Sequence, residues 1–262
     1  MYYEKIINPN VKEWVLLIHG LGGSIQTWKY QIDIFKKNYN LILIDLDGHG
    51  KSKANNSKTS YKPNQAAKSI FNILLKEKIQ YVHIVSLSLG TLVALEFTRL
   101  YPYKVKSIVL AGCIINLDNK RKLLLNMANI IKKIIPTKPM YKIFANIIMP
   151  KQNHKKSREI FIRESLKMDN QSFNSWLNSL KQSQKIFIKY LRTLNKYKIP
   201  TLFISGKEDY MFFKGIKELH TKLKDFNFRV LKKCGHVCSI EKSEIFNKIT
   251  LNFIKNINLY IN

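Results

Sequence analysis

A serine that follows a buried strand is the first candidate for chemistry, because the apolar run that begins near Tyr81 ends in two serines and then enters a helical pattern. A turn sharp enough to expose a serine hydroxyl needs small residues two places before and two places after the nucleophile. Ser88 has Ser86 before it and Gly90 after it. The alternative nucleophile, Ser86, would place the large side chain of Ile84 at the first of these positions, so Ser88 is the better candidate. A serine at this place can also serve only as a helix cap.

The candidate general base is His236. A serine hydroxyl is a weak nucleophile until a base removes its proton, so a histidine should stand elsewhere in the chain. His236 follows the run Phe228–Leu231 and the pair Cys234-Gly235, and loops at the carboxyl end of a strand are where α/β sheets place functional groups. The other histidines lie in two glycine-rich turns, a strand, a polar stretch and an ordinary helix, in the order His19, His49, His83, His154 and His220.

The candidate acid is Asp209, which would orient the imidazole and stabilise its charged form. It ends a Gly-x-x-Asp sequence directly after the buried run Thr201–Ile204. The neighbouring Glu208 is expected to point the other way, and Asp118, just past the preceding strand, is the alternative acid. The chain order serine, aspartate, histidine belongs to one hydrolase architecture and differs from the orders of chymotrypsin and subtilisin.

Acyl transfer also needs hydrogen-bond donors directed at the oxyanion. The apolar run Trp14–Ile18 leads into a glycine-rich loop whose backbone amides can face a pocket. We expect the amides of Leu21 and Leu89 to be the donors. Leu89 opens the helix after Ser88, so the helix dipole adds to its effect.

Two other motifs resemble sites for different chemistry, but each of them is incomplete. The sequence Gly50–Ser52 resembles the end of a phosphate-binding loop, but that motif requires glycine where this chain has Asp45. Cys234, His236 and Cys238 could be imagined as metal ligands, but no further clustered cysteine or histidine completes a site. We therefore expect neither a metal nor an organic cofactor.

The elements that must position these residues are buried strands alternating with helices. Five continuous apolar runs are typical of strands buried on both faces of a parallel sheet: Trp14–Ile18, Leu41–Ile44, Val82–Val85, Val105–Leu110 and Thr201–Ile204. Helical patterns occupy about 62–79, 89–101, 214–224 and 239–258. This alternation predicts an α/β fold with a mostly parallel central sheet flanked by helices.

The stretch 114–198 breaks the alternation, because it has helical periodicity and no convincing strand. One such pattern comprises Leu123, Leu124, Met127, Ile130, Ile131 and Ile134, and another comprises Ile143, Phe144, Ile147 and Ile148. We interpret this stretch as a helical cap, or lid, and residues 1–113 with 199–262 as the core domain. Core packing explains its methionine and aromatic residues better than a cofactor site does.

Composition limits the remaining function classes. The 262 residues carry a formal charge of +28, but only six of the 45 basic residues are arginine. An excess of lysine over arginine indicates coding bias more than phosphate recognition, so we expect no nucleic-acid partner. The chain has three cysteines, no apolar run long enough to cross a bilayer and no signal-peptide pattern. These features favour a cytoplasmic protein.

The basic charge is concentrated in the predicted lid. Residues 114–199 contain nineteen basic and four acidic residues. Coding bias that loads lysine onto solvated helix faces explains this, and the alternative is that the lid attracts an anionic substrate or an anionic membrane surface.

The motifs together resemble the α/β-hydrolase fold superfamily, in its large group of cytoplasmic esterase-like enzymes with a helical cap. The matching segments cover nearly the whole chain: residues 19–24, Asp45 to Ser52, Ser86 to Gly90, Tyr101-Pro102, Gly206 to Asp209 and Gly235-His236. Ser86 replaces the usual glycine, Leu87 stands where histidine is common, and the hairpin before Trp14 is truncated. We expect the cap of this chain to be inserted before the seventh strand.

The resemblance implies two-step acyl transfer by Ser88, His236 and Asp209 on an ester, thioester or lactone. The apolar Ile, Leu, Phe and Met residues of the cap favour a hydrophobic acyl group. Carbon–carbon bond hydrolysis on the same site is an alternative. A ligand-binding or signalling protein with little turnover is another. Dehalogenase and epoxide-hydrolase chemistry are disfavoured, because those relatives use an aspartate where this chain has Ser88.

Overall fold

The structure is a computed structural model that describes residues 1–52, 60–114, 137–183, 187–222 and 226–257. Its described strands form one seven-stranded sheet in the order β1-β3-β2-β4-β5-β6-β7. Every neighbouring pair is parallel except β1 and β3, which are antiparallel. The strands are β1 (Tyr2–Ile6), β2 (Trp14–Ile18), β3 (Asn40–Asp45), β4 (Val82–Leu87), β5 (Val105–Ala111), β6 (Thr201–Gly206) and β7 (Asn227–Leu231).

Helices cover the sheet and fill the insertion. In the core they are α1 (Lys29–Phe35), α2 (Pro63–Lys76) and α3 (Leu89–Leu100) before the insertion. The described helices of the insertion are α4 (Thr137–Ile148), α5 (Lys155–Ser165), α6 (Asn170–Ser183) and α7 (Phe187–Lys196). The remaining helices are α8 (Phe213–Lys222), α9 (Cys238–Glu241) and α10 (Ser243–Lys255).

The five predicted strands are confirmed, each to within two residues at either end. Strands β3, β4 and β6 are buried along their whole length, which explains their unbroken apolar sequences. The described elements form the mostly parallel α/β sheet flanked by helices that the sequence predicted. Among the described residues, no helix combines the length and the apolar composition needed to cross a bilayer.

The insertion lies between β5 and β6, where the sequence placed it. Its described part, 137–183 and 187–198, contains helices and turns and no strand. The predicted amphipathic stretch at 123–134 lies outside the described residues, so it and the domain boundaries stay predictions. The insertion precedes the sixth described strand instead of the seventh, because only β1 precedes β2, in agreement with a truncated N-terminal hairpin.

The topology brings four loops to one edge of the sheet. Strands β2 and β4 are neighbours at the centre, with β3 on one side and β5 on the other. Because these strands are parallel, the loops that follow β2, β4, β6 and β7 all leave the same edge. These loops contain the candidate residues, and a crevice at such an edge is where α/β proteins bind ligands.

Candidate active site

Ser88 occupies a strained turn between β4 and α3. Its backbone has φ 52° and ψ −118°, a conformation that residues other than glycine rarely adopt. The Ser88 amide donates to the Ala111 carbonyl oxygen at 2.9 Å, which ties the turn to β5. A Cβ atom on Gly90 would collide with the carbonyl oxygens of Ile18 and His19, so only glycine allows this close approach to β2. The turn therefore presents the Ser88 hydroxyl at the edge of the sheet.

Ser86, the alternative nucleophile, is directed elsewhere. It is fully buried, and its Oγ donates to the Val109 carbonyl oxygen at 2.9 Å. Its small size still satisfies the steric demand of the turn, because it stands two residues before Ser88.

His236 lies between Ser88 and Asp209. Its Nε2 is 2.8 Å from Ser88 Oγ, and its Nδ1 is 2.8 Å from Asp209 Oδ2. Asp209 is buried, and its other carboxylate oxygen accepts the amides of Met211 and Phe212 at 3.2 and 3.1 Å. Because Asp209 accepts from Nδ1, the neutral imidazole presents an unprotonated Nε2 to the serine hydroxyl.

The electrostatics of His236 suit a base. Burial disfavours its charged form, but the charge and hydrogen bond of Asp209, with the charge of Glu241, outweigh burial and raise the pKa of His236 above its ordinary value of 6.5. These neighbours therefore stabilise the imidazolium that forms when His236 takes a proton.

Two glycines leave room for the loop that carries His236. Gly112 has φ +52°, and a Cβ atom there would contact the His236 ring and its carbonyl oxygen. A Cβ atom on Gly206 would collide with the carbonyl oxygens of Cys234 and Gly235. The ends of β5 and β6 thus approach this loop closely enough to hold it against the sheet.

The predicted oxyanion donors flank the serine. Leu21 lies in the loop after β2 and lines the cavity above Ser88, and Leu89 is the first residue of α3. A Cβ atom on Gly20 would lie 3.0 Å from Ser88 Cβ, so this loop runs directly beside the nucleophile. Within the described part of the chain neither amide has a protein acceptor. Both are therefore free to bind a ligand oxygen.

Two buried histidines brace the Leu21 loop, a role that the sequence did not reveal. His49 Nε2 accepts the Gly22 amide at 3.1 Å, and His19 Nε2 accepts the Leu46 amide at 3.0 Å. Burial lowers the pKa of both imidazoles, and His19 lowers that of His49 further. Both rings are therefore neutral and able to accept these bonds. The two glycine-rich turns in which they were found were the only available signal.

Asp45 confirms that the Gly50–Ser52 sequence is a turn. One carboxylate oxygen accepts the Ile25 amide and the other accepts the Lys51 amide, both at 2.7 Å. The Lys51 amide, which a phosphate-binding loop would direct at a ligand, is therefore already bonded to a side chain of the protein.

An apolar cavity of about 250 Å³ opens above Ser88. The insertion supplies much of its wall: Phe144, Ile148, Met149, Ile160, Phe161 and Leu180. His236 is the one titratable residue among the described residues that line it, and none of those is Lys, Arg, Asp or Glu. The cavity therefore suits a neutral apolar group.

Helix α5 of the insertion is docked on the Leu21 loop. The buried Glu164 accepts from Ser24 Oγ at 2.8 Å and from Lys167 Nζ at 2.7 Å. Gly22 has φ +68°, and a Cβ atom there would collide with Phe161. From α6, Trp176 Nε1 donates to the Asp47 carbonyl oxygen at 2.8 Å.

The remaining candidates are Glu208, Asp118 and the three cysteines. Glu208 bonds the insertion, with Asn153 Nδ2 at 2.9 Å and His154 Nε2 at 3.2 Å, and so points away from His236 as predicted. Asp118 lies outside the described residues. Cys113, Cys234 and Cys238 are buried free thiols, and no group of side chains in the described ranges has the arrangement of a metal site.

Comparison with known proteins gives one family and several distant relatives. The family model for serine aminopeptidase, S33, a hydrolase family, matches residues 9–243. A 2-hydroxy-6-oxononadienedioate/2-hydroxy-6-oxononatrienedioate hydrolase of Paraburkholderia phymatum is 26% identical over 267 residues, covering 93% of this chain and 87% of that protein. The monoacylglycerol lipase ABHD6 of Bos taurus is 25% identical over 260 residues, covering 95% of this chain and 77% of the lipase.

A solved structure supports the fold independently. A chain from a study of carboxylesterases of Nitrososphaera gargenis superposes with a TM-score of 0.80 at 19% identity. The match covers 98% of this chain and 94% of that chain. At this identity the likeness establishes the architecture alone.

Proposed function

The chain belongs to the serine aminopeptidase S33 family of α/β hydrolases, and we propose that it is a serine hydrolase that cleaves esters or thioesters with a neutral, apolar acyl group. The observation that carries the proposal is the pair of 2.8 Å hydrogen bonds that joins Ser88, His236 and Asp209 at the base of an apolar cavity.

The first half-reaction acylates the serine. His236 Nε2 takes the proton of Ser88 Oγ while that oxygen attacks the acyl carbonyl carbon. The carbonyl oxygen becomes an oxyanion and accepts the amides of Leu21 and Leu89. The intermediate collapses, the bond to the leaving group breaks, and His236 returns the proton to the departing alkoxide or thiolate.

The second half-reaction releases the acid. His236 takes a proton from water, the hydroxide attacks the acyl carbon on Ser88, and a second oxyanion forms on the same amides. When it collapses, the ester bond to Ser88 breaks and Oγ regains the proton from His236. Asp209 keeps its negative charge and stabilises the imidazolium in both halves.

The lining of the cavity favours some candidate substrates over others. An aminopeptidase must recognise a free α-ammonium group, and no carboxylate is present among the described lining residues. A dicarboxylate substrate, such as the one in the name of the Paraburkholderia phymatum relative, would bury a charge without a Lys or Arg partner there. Because an unpaired buried charge costs several kcal/mol, a neutral acyl chain fits better.

The insertion would act as the lid of this site. Since α4, α5 and α6 supply much of the apolar wall, movement of residues 114–198 would open and close the acyl pocket. The core on which the lid closes would comprise residues 1–113 and 199–262.

A chain-length series tests the substrate proposal. We expect p-nitrophenyl esters from acetate to dodecanoate, and the matching acyl thioesters, to give multiple turnovers with an optimum at a medium chain. The matched control is a p-nitrophenyl hemi-ester with a terminal carboxylate at the optimal length, for which kcat/KM should fall at least about tenfold. Preference for the carboxylate ester would favour the dicarboxylate alternative, and retention of ligand without product release would favour a receptor.

A further inference from the structure

A buried contact between the insertion and the core lies directly behind the catalytic loops. His154 precedes α5 and is fully buried. Its Nε2 is 3.2 Å from Glu208 Oε2 and 3.7 Å from Glu241 Oε2. These three side chains, here called the carboxylate–histidine bridge, join one residue of the insertion to the loop after β6 and to helix α9 of the core.

Each carboxylate of the bridge sits beside a member of the triad. Glu208 directly precedes Asp209. Glu241 accepts the Gly235 amide at 2.5 Å and the Val237 amide at 3.3 Å, so it holds the backbone on both sides of His236. His154 therefore connects the loop of the acid to the loop of the base.

The hydrogen bonds define how His154 does this. The Lys151 amide donates to His154 Nδ1 at 3.4 Å, so Nε2 is the ring nitrogen that donates to the carboxylates. Lys151 Nζ, 2.9 Å from Glu208 Oε1, supplies a positive charge on the outer side. Hydrogen bonds from Asn153, Lys151 and His154 lower the pKa of Glu208 to about 2, so this acceptor is ionised at neutral pH.

The ring also fills space that the loop leaves open. A Cβ atom on Gly235 would collide with the His154 imidazole, so the ring packs flat against the residue before His236. From α5, Ser157 Oγ donates to Glu241 Oε1 at 2.9 Å, which gives the insertion a direct hydrogen bond to the same carboxylate. His154 itself is absent from the described residues that line the cavity and so does not touch the substrate.

We propose that His154 is a positioning residue, which through Glu208 and Glu241 sets the placement of Asp209 relative to His236 when the insertion is docked. The inference rests on the proposed serine hydrolase function. Its consequence is that lid position controls the alignment of the triad as well as access to the cavity, because the same docked insertion supplies His154 and the apolar wall.

The first test compares His154→Ala, His154→Gln and a control variant, His83→Ala, with medium-chain p-nitrophenyl esters. We expect His154→Ala to lower kcat about tenfold or more with KM changed less than twofold, because a displaced base costs rate and the acyl wall is intact. His154→Gln should recover much of the kcat, since its amide N–H can replace the Nε2 donor. His83 is also a buried histidine, but it lies at the opposite end of β4, where it bonds Ser107. Its replacement should lower Tm and leave kcat unchanged.

The second test uses the charge of Glu241. Replacing it by glutamine removes a negative charge that stabilises the His236 imidazolium, so the acidic limb of kcat/KM should move to lower pH. Among the described residues, the charges that act on His236 are those of Asp209 and Glu241, and Asp209 is unchanged in this variant. A purely structural role for Glu241 would lower Tm without moving this limb.

The outcomes separate the inference from the function on which it rests. No turnover and no fluorophosphonate labelling in the wild type would overturn the proposed function. A normal wild type with an unchanged kcat in folded His154→Ala, or with a raised KM alone, would overturn the positioning role. If His154→Ala does not fold, Glu208→Gln, whose side chain is partly exposed, takes its place, and its kcat should fall severalfold with KM unchanged.

Discussion

His236 controls the pH dependence of the proposed reaction. It acts as a base in its neutral form, and its pKa lies above 6.5. Activity should therefore be lost as the pH falls through this raised pKa. We expect kcat/KM for a neutral ester to follow one ionisation with a midpoint above pH 6.5, and a midpoint at or below that value would contradict the role of Asp209 and Glu241. His19 and His49 should not contribute, since their pKa values are lowered.

Replacing Asp209 should lower the rate of the proposed reaction. Asp209→Asn keeps the size of the side chain but removes the acceptor that fixes the His236 tautomer. We expect kcat to fall by about 10³–10⁴-fold, with the acidic limb moved to lower pH. The measurement is steady-state kinetics with Tm as the folding control. A loss smaller than tenfold in a folded variant would point to another acid.

At the residue scale, the sequence indicated which side chains could come together, but not what surrounds each of them. Ser88, Asp209 and His236 could be chosen because small residues, strand ends and chain order are visible in sequence, and the structure places them within hydrogen-bond distance. The bridge at His154 was not predicted. Its partners are 54 and 87 residues away along the chain, and a histidine in a polar stretch carries no sign of burial.

Helix α5 is the element that most directly shapes the acyl pocket. Phe161 lines the cavity and packs over Gly22. Phe161→Ala should enlarge the pocket and raise the ratio of kcat/KM for decanoate over butyrate esters about tenfold, because each accommodated methylene contributes apolar contact. Leu166→Ala is the control, since Leu166 follows the same helix but is exposed. Equal ratios in both variants would show that α5 does not limit chain length.

The sequence predicted the strands that are buried on both faces. It missed elements whose side chains are partly exposed or that are short. The central strands are continuous apolar runs because both faces are covered by helices. Strand β1 was missed, since it is an edge strand with one antiparallel partner and half-exposed side chains. Helix α1 has seven residues, too few for a helical period to be recognised, and the predicted final helix is interrupted at Lys242.

The charge of the whole molecule is concentrated in the insertion, whereas the cavity is apolar. If the lid attracts anions, it must therefore act on the leaving group or on a surface outside the acyl pocket. We predict that kcat/KM for a coenzyme A thioester falls steeply as salt shortens the Debye length from about 30 Å at 0.01 M to about 8 Å at 0.15 M. The neutral p-nitrophenyl ester of the same acid should barely respond.

Two sets of lysine variants test whether the salt dependence of the thioester reaction arises from the lid. Replacing Lys132, Lys133, Lys155 and Lys156 by glutamine should flatten the salt dependence of the thioester; the first two lie outside the described residues. The control replaces four exposed lysines of the core domain by glutamine: Lys62, Lys78, Lys248 and Lys255. The same salt response for the thioester and the neutral ester, with no binding to anionic vesicles, would leave coding bias as the origin of the charge.

The most direct test of the central claim is covalent labelling of the nucleophile by a fluorophosphonate probe, with the modified peptide located by mass spectrometry. We predict one adduct on Ser88 in the wild type, loss of labelling and turnover in Ser88→Ala, and full labelling in Ser86→Ala, because Ser86 Oγ is buried against the Val109 carbonyl oxygen. Labelling that survives in folded Ser88→Ala and disappears in Ser86→Ala would contradict the assignment of the nucleophile.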